Sequence, residues 1–166
     1  MINNQDNNID KKKRIALVTG ANRGIGFEVC IQLAQLTNMT VILTARNFEK
    51  GQSAAKQLMD KGMDISFYQL DVCNDTDIKN ISLQIEQQYG RLDILVNNAA
   101  ILYDSWQDAI DADFQVVNRA LETNLFGPWC LCQVIIPLLK KNGYGRIVNV
   151  SSGTGSLHYM QVGAPA

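Results

Sequence analysis

The residues with the plainest chemical purpose are Thr19, Gly20, Asn22, Arg23, Gly24, Ile25 and Gly26, in the run Thr19-Gly20-Ala21-Asn22-Arg23-Gly24-Ile25-Gly26. Apolar Ile15-Ala16-Leu17-Val18 precedes this run, and a segment with helical spacing follows it. A strand that passes through a glycine-rich turn into a helix suits a diphosphate. Small residues let the backbone approach the phosphates, and the helix N-terminus offers unpaired N–H groups and the positive end of its dipole. The spacing Gly20-x-x-x-Gly24-x-Gly26 differs from GxGxxG, and no Lys-Ser or Lys-Thr follows to make a Walker A loop. Taken alone, the cluster would serve equally well as a tight turn.

The second positive position lies further on. The apolar run Thr40-Val41-Ile42-Leu43-Thr44-Ala45 ends in Arg46. Dinucleotide folds usually place an acidic residue here to bind a ribose 2′-hydroxyl, whereas a guanidinium attracts a 2′-phosphate. With Arg23 adding a second charge, the pair favours NADP(H) over NAD(H) as cofactor.

These groups need a scaffold, and the chain reads as one. Apolar runs at 15–19, 40–45, 65–70, 92–96 and 146–150 are short, rich in Ile, Val and Leu, and do not alternate with polar residues. Strands buried on both faces of a parallel sheet have this pattern. Between them, Ile25, Val29, Leu33 and Leu36 share a helical face, as do Ala54, Leu58 and Met59, and Ile78, Ile81 and Ile85. Asn74 or Asp75 can cap the third helix. A longer helical stretch from Phe114 to Lys140 should be interrupted near Gly127-Pro128 by a kink or a local break, because proline removes a backbone donor. Repeated β-α-β units imply an α/β fold with a Rossmann-type, doubly wound parallel sheet of about five strands.

Composition narrows the class. With 166 residues, 46% of them hydrophobic and 19% charged, the chain suits one globular domain. We expect a disordered tail over 1–13 and one nucleotide-binding domain over 14–166. The net charge of −1 gives no reason to expect a nucleic-acid partner. The asparagine-rich start lacks a signal-peptide core, so neither membrane insertion nor secretion is expected. Lys11-Lys12-Lys13-Arg14 reads as the solvated flank of the first strand. Cys30, Cys73, Cys130 and Cys132 form no CxxC pair and His158 is the one histidine. Reduced, mostly buried thiols in a cytoplasmic protein, with no metal site, are therefore expected.

At this point the motifs resemble those of the short-chain dehydrogenases/reductases over roughly residues 14–165. The glycine loop is similar to the family's TGxxxGIG. Leu70-Asp71-Val72 resembles its adenine-contacting segment, and Asn97-Asn98-Ala99-Ala100 its NNAG, with Ala100 in the glycine's place. Asn124 resembles the catalytic asparagine, and Val150-Ser151-Ser152 the serine strand. Thr44-Ala45-Arg46 and Leu121–Gly127 look most like carbonyl-reductase-like members that use NADPH.

The resemblance implies NADPH-dependent reduction of a small-molecule carbonyl, a ketone, aldehyde or quinone. Asp71 would accept from the adenine amino group, with Val72 beside it, and Asn98 and Ala99 would pack the adenosine ribose. Ser152 would hold the carbonyl oxygen, and Asn124 a water of the proton relay. Tyr103, Trp106 and Trp129 are candidate pocket, interface or core aromatics. Monomer and homo-oligomer both stay open.

The family's Tyr-x-x-x-Lys is not found in these residues. Tyr159 is followed four positions later by Gly163, and no lysine follows Lys141. Gly163-Ala164-Pro165-Ala166 resembles the segment that leads into that tyrosine. The expectation is a chain cut short before its general acid, inactive or nearly so, with an incomplete sheet. The alternative is a non-catalytic nucleotide-binding or partner-binding remnant.

Overall fold

The computed structural model describes residues 13–102, 110–155 and 157. Five strands form one sheet: β1 (Arg14–Val18), β2 (Met39–Ala45), β3 (Ile65–Gln69), β4 (Ile94–Asn97) and β5 (Arg146–Asn149). Their order is β3-β2-β1-β4-β5, and every pairing is parallel. Helices α1 (Gly24–Ala34), α2 (Phe48–Met59) and α3 (Asp75–Tyr89) link the first four strands. Between β4 and β5 come α4 (Phe114–Leu121), a π-helical turn (Glu122–Phe126) and α5 (Gly127–Lys141). This is the expected Rossmann-type α/β fold.

The core has two layers because successive strand residues face opposite ways. From β1, Ile15 and Leu17 pack with Ile78, Ile81 and Ile85 of α3 and with Leu131 and Ile135 of α5. Ala16 and Val18 join Cys30 of α1 and Ala54, Ala55 and Leu58 of α2. Both faces are covered, which is why the strands read as continuous apolar runs. Each fully buried Leu or Ile contributes about 1.5–3 kcal/mol.

Sequence expectations need correction at several positions. Helix α1 turns Gly26 and Cys30 to the sheet, while Ile25 is 64% exposed and Leu36 is also exposed. Small residues on that face let α1 lie close against the strands. On α2, Ala54 and Leu58 are buried but Met59 is exposed. The helical stretch is interrupted where expected: a π turn over Glu122–Phe126 ends immediately before Gly127-Pro128, and the missing Pro128 N–H falls at this break in the regular bonding. The proline inside α5 is Pro137. Among the described residues β5 pairs with β4 alone and all four of its residues are exposed, the open edge that the expected incomplete sheet implies. Of the four thiols only Cys30 is buried, and Cys73 is exposed.

Asn74, not Asp75, caps α3, accepting from Thr76 N and Asp77 N. No helix among the described residues is long and apolar enough to cross a membrane. Residues 1–12, Tyr103, Trp106, His158 and the stretch from Tyr159 to Ala166 lie outside the described residues. Trp129 is 60% exposed on α5, which removes it from the core.

Candidate functional site

Strand order reverses between β1 and β4, so the carboxyl ends of these strands open the crevice where α/β sheets bind ligands. A cavity of about 570 Å³ lies at these ends. That volume is within the roughly 300–1,000 Å³ of small-molecule sites. Of the predicted residues, Gly20, Asn22, Arg23, Gly24, Arg46, Asp71, Val72, Asn98, Ala99 and Ala100 line it. Loops from four strand ends are therefore brought to one wall.

Thr19 and Asn98 hold this wall in shape. The Thr19 hydroxyl donates to Val96 O (3.3 Å) and accepts from Asn98 N (2.9 Å) and Ala99 N (3.0 Å). In return, Asn98 Nδ2 donates to Thr19 O (2.9 Å) and Gly20 O (3.2 Å). Gly20 has φ +61°, and a Cβ there would stand 2.8 Å from Ala99 Cα. Glycine is needed twice over, for the left-handed backbone and for the close approach. Thr19 and Gly26 lie behind the cavity rather than on it, and Ile25 points to solvent.

The fit to a phosphate-bearing cofactor can be tested on the helix end. Asn47, Asn74 and Asp113 cap α2, α3 and α4 with side-chain hydrogen bonds. At α1 the cap position is Arg23, which makes no such bond, and the first turn holds no acid. Its N–H groups are thus left to a ligand, and no carboxylate opposes an anion there. Arg23 and Arg46 both lie on the cavity wall. Gln69 Nε2 donates to Arg46 O (2.9 Å), which fixes the main chain where β2 ends. The residues present fit a phosphate-rich nucleotide.

Opposite in character is the turn after β3. Leu70, Asp71 and Val72 line the cavity, and Asp71 Oδ1 accepts from Cys73 N (3.0 Å). One carboxylate among apolar groups repels phosphate but can accept from an N–H donor on a heteroaromatic ring.

Asn124 and Ser152 do not line the cavity. Asn124 lies in the π turn and pairs with the main chain of Ile101 in both directions: Oδ1 accepts from Ile101 N and Nδ2 donates to Ile101 O, each at 2.9 Å. Its carboxamide is thereby engaged in holding the segment after β4. Ser152 is exposed beyond β5, close to a 3₁₀ turn at Gly153–Gly155. Leu70, Ile101, Leu102 and Thr123 also line the cavity. Leu70 and Thr123 fall inside the segments Leu70-Asp71-Val72 and Leu121–Gly127 without being singled out there, and no sequence signal marked Ile101 or Leu102.

Comparison with known proteins agrees with this geometry. The family model for short chain dehydrogenases matches residues 14–164. Carbonyl reductase (NADPH) 1 of Sus scrofa is 41% identical over 143 residues, covering 86% of this chain and 48% of the relative. The (+)-neomenthol dehydrogenase of Arabidopsis thaliana is 38% identical over 169 residues, covering 89% and 56% respectively. Among solved structures, salutaridine reductase from Papaver somniferum superposes with TM-score 0.77 at 32% identity, covering 88% of this chain and 60% of that one. A metagenomic short-chain oxidoreductase in complex with NADP gives TM-score 0.78 at 28% identity, with coverage of 85% and 63%. The chain spans about half the length of the curated relatives it matches. With the strand order, the uncapped glycine loop and these matches in agreement, the chain belongs to the short-chain dehydrogenase family.

Proposed function

We propose that this chain supplies the NADP(H)-holding half of an oxidoreductase that reduces a small-molecule ketone, aldehyde or quinone to an alcohol. The observation that carries this reading is the cavity wall itself. An uncapped helix N-terminus and two arginines face one space, and no acidic residue ends β2. Relatives named as NADPH carbonyl reductases support the cofactor and the substrate class.

Gly20, Asn22, Arg23 and Gly24 would hold the diphosphate, Arg46 with Arg23 the 2′-phosphate, and Asp71, Val72, Asn98, Ala99 and Ala100 the adenosine side. When bound, the dihydronicotinamide supplies a hydride. Ser152 would donate its hydroxyl to the substrate oxygen as negative charge grows there. Asn124 would act by fixing Ile101 at the cavity wall.

The 166 residues contain no Tyr-x-x-x-Lys sequence, so we infer that this polypeptide by itself holds the cofactor with little or no turnover. The deciding experiment follows NADPH absorbance with the purified 166-residue chain and a panel of ketones, aldehydes and quinones. Cofactor binding without oxidation is the expected result. Sustained turnover would overturn the inference about this polypeptide, and absence of NADPH binding would overturn the nucleotide reading.

A further inference from the structure

Cys73 stands outside the family-like motifs, yet it joins two parts of the cavity that are 50 residues apart in sequence. Its Sγ lies 3.2 Å from Thr123 Oγ1, and its main-chain N donates to Asp71 Oδ1 at 3.0 Å. Thr123 lines the cavity beside Asp71 and Val72. A second contact reinforces this junction. Gly127 seats against the same turn so closely that a Cβ there would stand 2.7 Å from Val72 O. The next residue after Thr123 is Asn124, which clamps Ile101 on the cavity wall through both main-chain groups. The five-residue π turn therefore touches the turn after β3 with one residue and the segment after β4 with the next.

From this geometry we propose that Thr123 and Cys73 form a latch that positions the base-binding wall of the nucleotide cavity. The proposal rests on the reading of this cavity as a nucleotide site. A hydroxyl–thiol contact holds the Asp71–Val72 turn onto the π turn, fixing where the Asp71 carboxylate meets a purine amino group. Both residues act through Asp71 and Val72 and are positioning residues. The phosphate wall, built by Arg23, Arg46 and the uncapped α1, does not depend on the latch.

Two measurements on the 166-residue chain test it. The first uses no nucleotide: the rate at which Cys73 reacts with 5,5′-dithiobis(2-nitrobenzoate). The thiolate attacks the reagent's disulfide, a new S–S bond forms, the old one breaks to release thionitrobenzoate, and the thiol proton goes to solvent. Subtracting the rate of Cys73→Ser isolates this thiol from Cys30, Cys130 and Cys132. Thr123→Val should raise the Cys73 rate about fivefold, the equivalent of one net hydrogen bond, and Thr123→Ser should restore it. The second is the affinity for adenosine 2′,5′-bisphosphate, which Thr123→Val should weaken about fivefold while Thr123→Ser and Cys73→Ser preserve it. An unchanged thiol rate in Thr123→Val overturns the latch. A faster thiol with unchanged bisphosphate affinity overturns its positioning role. No bisphosphate binding by the wild-type chain contradicts the nucleotide reading and, with it, that role, while the thiol rates still decide whether the contact exists.

Discussion

Gly26 and Asn98 share one small volume: a Cβ on Gly26 would stand 2.4 Å from Asn98 Nδ2. That nitrogen already donates to Thr19 O and Gly20 O, so it holds the glycine loop from below. The last glycine of the motif is thus required by a side chain from β4's end, 72 residues away by numbering, as much as by any ligand.

Gly26→Ala is expected to displace the Asn98 carboxamide and break both hydrogen bonds. Overpacking of this kind costs about 1–3 kcal/mol, read as a lower urea midpoint. Nucleotide affinity should fall in the same variant. A Gly26→Ala chain as stable as wild type would mean that Asn98 has room to move aside.

Arg91 matters at the other end of the sheet. Asp93 is 0% exposed, and its carboxylate accepts from Ile15 N (2.8 Å) and Arg91 Nε (3.0 Å), tying β1 to the start of β4. Arg91→Met leaves that charge buried without its cation and should cost about 3–5 kcal/mol in chemical denaturation. Arg91→Met combined with Asp93→Asn should recover part of the loss, because the amide still accepts from Ile15. A loss below about 1 kcal/mol in the single variant would show that the pair contributes little.

Cys30 is expected to contribute to the loss of stability at alkaline pH. Burial against the sheet pushes its thiol up to about 12, compared with about 8.5 in an unfolded chain. The folded state favours the neutral thiol, so its contribution is complete below about pH 8.5 and is lost as pH rises toward 12. Cys30→Ala should flatten the fall in stability over that window. An identical alkaline limb in the variant would show that other groups cause it.

Much of the fold was legible because covered parallel strands need continuous apolar runs, and Ile15–Val18 and Val41–Ala45 have them. The phase of α1 was not legible. Hydrophobicity favoured Ile25 and Leu36, whereas close packing on the sheet required Gly26 and Cys30. Strand β5 was also legible as an apolar run, and Ile147 and Val148 stand exposed at the edge of the sheet formed by the described residues. The cavity's predicted residues were largely found, because loop motifs at strand ends must converge at the switch point. What they do there was harder to read. No local pattern shows that Asn98 and Asn124 use their carboxamides on distant main chain, or that a π turn spans Glu122–Phe126.

The most direct test of the central claim is a fluorescence titration of the purified chain with NADPH and with NADH. NADPH should bind at least about tenfold more tightly, through charge-assisted bonds to the 2′-phosphate, and Arg46→Asp should reverse the preference. Equal affinity for the two nucleotides, or no binding of NADPH at millimolar concentration, would contradict that claim.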